Sequence, residues 1–166
     1  MAPGIRITQQ IRFGDIDSYN HVNNVVYLQY LEDARVQLTY AELPGGGTFQ
    51  DLVGEDLFTL VGRNEIEYLA PISFRPTPIA VNIWVTHIGG SSFDFGYTVT
   101  ESDDSITFAQ AETSMVLVSR TTGRPVRLTE AQRAALNAWR GDPVPFKRGA
   151  NRPATKTTPA TAEGSH

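Results

Sequence analysis

The stretch Gly14-Asp15-Ile16-Asp17-Ser18-Tyr19-Asn20-His21-Val22-Asn23-Asn24-Val25-Val26-Tyr27 decides how this chain is read. Upstream of it, Ile5, Ile7, Gln9, Ile11 and Phe13 fall on alternate positions, the period-2 signature of a half-buried strand over residues 5–13. Downstream, residues 22–42 contain neither proline nor glycine. Val22, Val25, Val26, Leu28, Tyr30, Leu31, Ala34, Leu38 and Ala41 cover more than half of a helical wheel, which predicts one long, largely enclosed helix. Pro44-Gly45-Gly46-Gly47 stops it. The quoted stretch is the joint between the two, rich in short polar side chains that compete for local backbone groups.

Further along, the alternation predicts strands over residues 57–69, 79–88, 93–101 and 105–119. Ile79, Val81, Ile83 and Val85 share one face, and Phe93, Phe95, Tyr97 and Val99 another. The connections Gly89-Gly90-Ser91-Ser92 and Ser102-Asp103-Asp104 have hairpin lengths, so the last three strands form an antiparallel meander. Thr129-Glu130-Ala131-Gln132 is a capping box opening a short helix that runs to Trp139. Past Gly141 the composition turns to Pro, Thr, Ala and Lys, too poor in bulky apolar groups to offset ordering entropy. The expected organisation is one domain over residues 1–140 and a flexible tail over 141–166. The class is α+β: a single antiparallel sheet that buries a long helix must curl around it, and its open edges favour a homodimer or homotetramer.

Composition removes several functions. The chain has 166 residues, is 40% hydrophobic and carries a formal charge of -4, which provides no long-range attraction for nucleic acid or an anionic membrane surface. It has no cysteine, excluding disulfides, zinc-thiolate sites and a cysteine nucleophile. No run approaches the ~18 apolar residues of a membrane span, and the start lacks a signal-type apolar core. The expectation is a soluble, cytoplasmic protein without a bound metal or cofactor.

The joint gathers two carboxylates, a histidine and two carboxamides where a strand hands over to a helix. The first amides of the helix, near His21 to Asn24, are unpaired donors able to hold a developing oxyanion. A carboxylate in the loop before it can face the same point as a nucleophile or as a base for water. The pattern Gly-Asp-x-Asp-x-x-Asn-His-Val-Asn-Asn-x-x-Tyr over residues 14–27, followed by Tyr30-Leu31-Glu32-x-Ala34-Arg35, resembles the hotdog-fold thioesterases related to 4-hydroxybenzoyl-CoA thioesterase. Glu67-Tyr68-Leu69-Ala70-Pro71 and Ile88-Gly89-Gly90-Ser91-Ser92 are similar to that family's second strand and its hairpin near the ligand.

The resemblance, which covers about residues 5–120, implies a sheet curled around a central helix and hydrolysis of an acyl-CoA thioester at a site shared between subunits. It implies Asp17 as the catalytic carboxylate and the Asn24 amide as oxyanion donor. His21 and Asn23 complete the candidate catalytic set, His21 as a base or an orienting imidazole and Asn23 as a group that orients water or substrate or else satisfies backbone groups at the helix start. Tyr27, Ser91 and Ser92 are the candidate substrate contacts. Asn20 replaces a glycine of several relatives and tolerates the left-handed backbone the turn requires. Asp15 reads as structural, and Glu32 with Arg35 as a pair ordering one helical face. Arg63, Arg75, Arg120, Arg124 and Arg127 are the candidates for nucleotide phosphates. The run Gly45 to Gly47 lacks the lysine of a phosphate-binding loop and reads as a surface connection. Three alternatives stay open: carrier-protein thioesters as substrate, a non-catalytic acyl-binding protein, and a hydratase, which the spacing of Asp15, Asp17 and His21 disfavours.

Overall fold

A computed structural model describes residues 4–147. Five strands, β1 (Ile5–Gln9), β2 (Leu57–Tyr68), β3 (Ile79–Ile88), β4 (Ser92–Thr100) and β5 (Thr107–Ser119), form one antiparallel sheet in the order β1-β3-β4-β5-β2. The long helix α1 (Asn24–Leu38) lies on its concave face, packed against β1 and β3. Two short helices, α2 (Phe49–Val53) and α3 (Glu130–Asn137), close the far end. This is the expected hotdog arrangement, with β1 and β2 at the open edges of a sheet that does not close.

The two predicted inward rows, Ile79 to Val85 on β3 and Phe93 to Val99 on β4, are fully buried. Phe49 of α2 sets its ring edge against Phe93 and Phe95, with centroids 6.0 and 5.7 Å apart. Trp139, just past α3, packs on Phe95 at 5.4 Å. Each such ring removes a large apolar area from water, which fixes the fill of the core.

Several boundaries move. β1 ends at Gln9 rather than residue 13, because Asp15 accepts the Arg12 N–H at 3.0 Å and turns residues 13–15 into a single 3-10 turn. Ile11 stays buried, whereas Phe13 is thrown out to 80% exposure. α1 starts at Asn24 because Val22 and His21 are spent in isolated β-bridges to Ile16 and Ser73. It ends at Leu38 instead of continuing to residue 42. Only one stripe of α1 is buried, Tyr27, Tyr30, Leu31, Ala34 and Leu38, at the i, i+3, i+4 spacing of a one-sided helix. Val25 and Val36 are 74% and 56% exposed, so the expected enclosure is not met within one chain. The glycine run, all with positive φ, is followed by α2, which was not foreseen despite its Thr48/Asp51 capping box.

Of the expected tail, residues 141–147 lie against the convex face of the sheet. The Trp84 indole N–H donates to the Asp142 carbonyl, the Gln110 amide to that of Pro145, and the Lys147 N–H to the Glu67 carboxylate. The remainder, from residue 148, lies outside the described residues. Among the described residues no helix is long and apolar enough to cross a membrane.

Candidate active site

The joint folds as a miniature hairpin. Ile16 and Val22 pair across it, the Asp17 N–H donates to the His21 carbonyl at 2.9 Å, and the Asn20 N–H donates to the Asp17 carbonyl at 3.1 Å. Asn20 closes the turn at φ 62°, the left-handed conformation expected of it. Within this turn Asp17 is half-buried. Its Oδ1 accepts the Tyr19 N–H at 2.8 Å and the His21 N–H at 3.3 Å, while Oδ2 meets no donor among the described residues. The turn therefore fixes the carboxylate through one oxygen and leaves the other free.

Asp15, two residues earlier, is the opposite. It is 3% exposed, and Oδ2 accepts the Tyr30 hydroxyl at 2.7 Å and the Arg12 N–H at 3.0 Å, while Oδ1 takes the Arg12 guanidinium at 3.1 Å. Burial pushes this carboxyl up, but the hydrogen bonds from Tyr30 and Arg12 outweigh it and hold it below the usual aspartate range. Burial, and after it the same contact with Asp15, push the Tyr30 phenol far up.

The amides at the helix start are mostly spent, contrary to expectation. His21 N–H goes to Asp17 Oδ1, Val22 N–H to the Ile72 carbonyl at 2.8 Å, and Asn23 N–H to the Asp15 carbonyl at 2.9 Å. Asn23 is the N-cap, its Oδ1 accepting the Val25 N–H at 3.2 Å, and its carbonyl accepts Val26 N–H at 2.9 Å. That leaves the Asn24 N–H, which has no acceptor among the described residues, as the open donor of the first turn.

A cleft of about 440 Å³ is lined by Asp17, Tyr19, His21, Val22, Asn24, Tyr27, Tyr68, Leu69, Ala70 and Pro71. Its floor is the Tyr27 ring, packed edge-on to Tyr68 at 5.1 Å, and the Tyr68 hydroxyl donates to the Asn24 carbonyl at 2.9 Å. Burial raises the Tyr27 phenol to about 12, and that of Tyr68 also upward. Among the described residues no cluster of acids and histidines is arranged to hold a metal ion.

Compared with known proteins, the sequence matches the model of the thioesterase-like superfamily over residues 11–136. The chain belongs to that superfamily. Among solved structures it is similar to the PA5185 protein of Pseudomonas aeruginosa, at 28% identity over 82% of this chain and 92% of that one, with a TM-score of 0.69. It is also similar to a thioesterase from Thermus thermophilus complexed with coenzyme A and zinc, at 30% identity over 86% and 97%, TM-score 0.65. A 1,4-dihydroxy-2-naphthoyl-CoA thioesterase from Synechocystis shares the fold, with 18% identity over 81% and 96% and a TM-score of 0.66. None of the curated proteins matches. The protein is thus a thioester hydrolase of the hotdog class.

In this thioesterase Asp17, His21, Asn24 and Tyr27 converge on the cleft, and Asn23 stands beside it as the helix cap. Ser91 and Ser92 do not line it. They form the β3–β4 hairpin at the opposite end of the strands, where the Ser91 carbonyl accepts the Leu117 N–H and that of Ser92 the Gly89 N–H. Glu32 and Arg35 form no ion pair. Arg35 reaches instead to the Tyr97 hydroxyl at 3.1 Å, because the guanidinium finds a buried acceptor on the inner sheet face. The candidate phosphate arginines are absent from the cleft lining: Arg63 pairs with Glu65, Arg75 grips Glu101 through two 2.8 Å bonds, and Arg120 donates to the Glu55 carbonyl. Tyr68 and Tyr19 were missed as site residues. Tyr68 had a signal, since it sits in Glu67-Tyr68-Leu69-Ala70-Pro71, whereas Tyr19 follows only from how the turn folds.

Proposed function

We propose that the protein hydrolyses acyl-CoA to the free acid and CoA, with Asp17 as its catalytic carboxylate. The observation that carries this is the half-free state of Asp17: one oxygen is anchored by two turn amides, and the other is available at a cleft also lined by Asn24, whose N–H has no acceptor among the described residues. In this reading the thioester carbonyl points its oxygen at the Asn24 N–H, which stabilises the negative charge developing there. Asp17 Oδ2 either attacks the carbonyl carbon, giving an anhydride that water then cleaves, or removes a proton from an attacking water. The thiolate of CoA leaves in either route. His21 lies within the same cleft and orients water or the leaving group, Asn23 keeps the helix start in place, and Tyr27, Leu69, Ala70 and Pro71 offer apolar walls to the acyl or pantetheine chain.

The functional unit we propose is a homodimer or a higher homo-oligomer, in the cytoplasm. β2 is an edge strand with exposed backbone, and Val25 and Val36 of α1 lie open with Val61 and Tyr68 of β2, an apolar strip that a second copy would cover. Pairing two β2 edges antiparallel brings the far end of one sheet toward the cleft end of the other. The hairpin with Ser91 and Ser92 then approaches the cleft from the second copy, as substrate contacts in trans. Carrier-protein thioesters are the second reading for the substrate, because the cleft lining contains no lysine or arginine for nucleotide phosphates.

The experiment is a panel of short, long and aromatic acyl-CoA esters followed with a thiol-detecting reagent, for wild type and Asp17→Asn. Wild type turns over at least one class, and Asp17→Asn loses about 100-fold or more in kcat, the scale of a missing catalytic group. Near-normal turnover by Asp17→Asn removes Asp17 from the mechanism, and an inactive wild type that still binds acyl-CoA returns the protein to acyl binding.

A further inference from the structure

The first turn of α1 is held peptide by peptide, and one of the holders lies outside the helix and its loop. The Val25 N–H is taken by the Asn23 cap, and the Asn23 carbonyl by the Val26 N–H. The Asn24 carbonyl already accepts within the helical ladder and receives in addition the Tyr68 hydroxyl at 2.9 Å. Tyr68 is the last residue of β2, so this bond ties the edge strand to the helix start across the cleft. Its ring is in turn fixed edge-on to Tyr27, which is 2% exposed and cannot move without opening the core.

We propose that Tyr68 is a positioning residue for thioester hydrolysis: by holding the Asn24 carbonyl it keeps the adjoining Asn24 N–H aimed at the place where the oxyanion develops. The inference rests on the reading of Asn24 as oxyanion donor. The Tyr68 phenol does not touch the reacting atoms; it holds the Asn24–Val25 peptide, which is joined through the Asn24 Cα to the Asn23–Asn24 peptide that carries the donor. A tyrosine phenol is protonated at neutral pH, and partial burial shifts this one further up, so its hydroxyl is available as the donor this bond requires. A small misplacement of a donor weakens the transition state more than the bound substrate, because the bond tightens only as charge develops.

The test is Tyr68→Phe, which keeps the ring on Tyr27 and removes only the hydroxyl. On the acyl-CoA that wild type cleaves best, kcat falls about 10-fold while KM stays within about 2-fold, the split that marks loss of a transition-state interaction. Hydrogen exchange at the Val25 to Leu28 amides speeds up in the same variant, reporting the loosened turn without reference to activity. An unchanged kcat, or a loss carried by KM alone, overturns the proposal and leaves Tyr68 as a wall of the cleft. If wild type cleaves no thioester, the functional reading fails. The exchange experiment still decides whether Tyr68 holds the turn, and unchanged exchange sinks that as well.

Discussion

Asp15 and Asp17 are two residues apart in one turn and have opposite environments. Asp15 is sealed beneath the turn, with both oxygens occupied by Tyr30 and Arg12, whereas Asp17 stands at the lip of a cleft with one oxygen occupied and the other open. A carboxylate saturated with donors is stabilised as an anion and loses nucleophilicity and basicity, so Asp15 serves the fold. The contrast teaches that proximity of an acid to the helix start does not make it reactive. What distinguishes the two is how many of the lone pairs the backbone has already claimed.

The largest effect expected from breaking this comparison is a division of labour between the two asparagine variants. Asp15→Asn keeps kcat within about 3-fold but destabilises the fold by about 2 kcal/mol, because a buried amide cannot accept all the donors now aimed at it. Asp17→Asn does the reverse, with denaturant midpoints near wild type. Turnover assays and urea unfolding of both proteins check this, and similar stability losses in the two would erase the distinction.

The next effect is on pH. Asp15 has its carboxyl lowered on folding, so its contribution to stability is present above the ordinary aspartate pKa and disappears as pH falls through the lowered folded value. Tyr27 runs the other way. Its phenol is raised to about 12, so its contribution is complete below the unfolded tyrosine value near 10 and is lost as pH climbs through about 12. Thermal unfolding across pH should therefore show an acid shoulder that Asp15→Asn diminishes, and an alkaline one that Tyr27→Phe diminishes.

The smallest effect expected is at the helix cap. Asn23→Ala frees the Val25 N–H and costs about 1 kcal/mol of stability, within the usual range for lost caps, with a modest fall in kcat if the Asn24 amide shifts. Urea unfolding reads the first quantity and steady-state kinetics the second.

Much of this was legible in the chain. The period-2 rows of β3 and β4 and the unbroken apolar pattern of α1 place the sheet and helix, because burial on one face leaves a regular trace in sequence. Asp17 and Asn24 could be singled out because the turn types and the family pattern coincide there. Other features depend on contacts distant in sequence and leave no local trace. Arg35 turns to Tyr97, 62 positions away, rather than to Glu32, whereas the early end of β1 comes from a local contact, Asp15 folding back onto Arg12. The amides of Val22 and Asn23 are occupied by the carbonyls of Ile72 and Asp15, so the helix start has fewer free donors for an oxyanion than its sequence suggests. Ser91 and Ser92 lie away from the cleft of their own chain for a similar reason: proximity between strand ends is a matter of topology.

The most direct measurement is a crystal structure of the protein with a ketone analogue of acyl-CoA, in which a methylene replaces the thioester sulfur. The analogue's carbonyl oxygen is expected about 3 Å from the Asn24 N–H and its carbon facing Asp17 Oδ2, with Tyr27 and Tyr68 beside the chain. A carbonyl lodged elsewhere, with Asp17 turned to bulk water, would contradict the proposed mechanism.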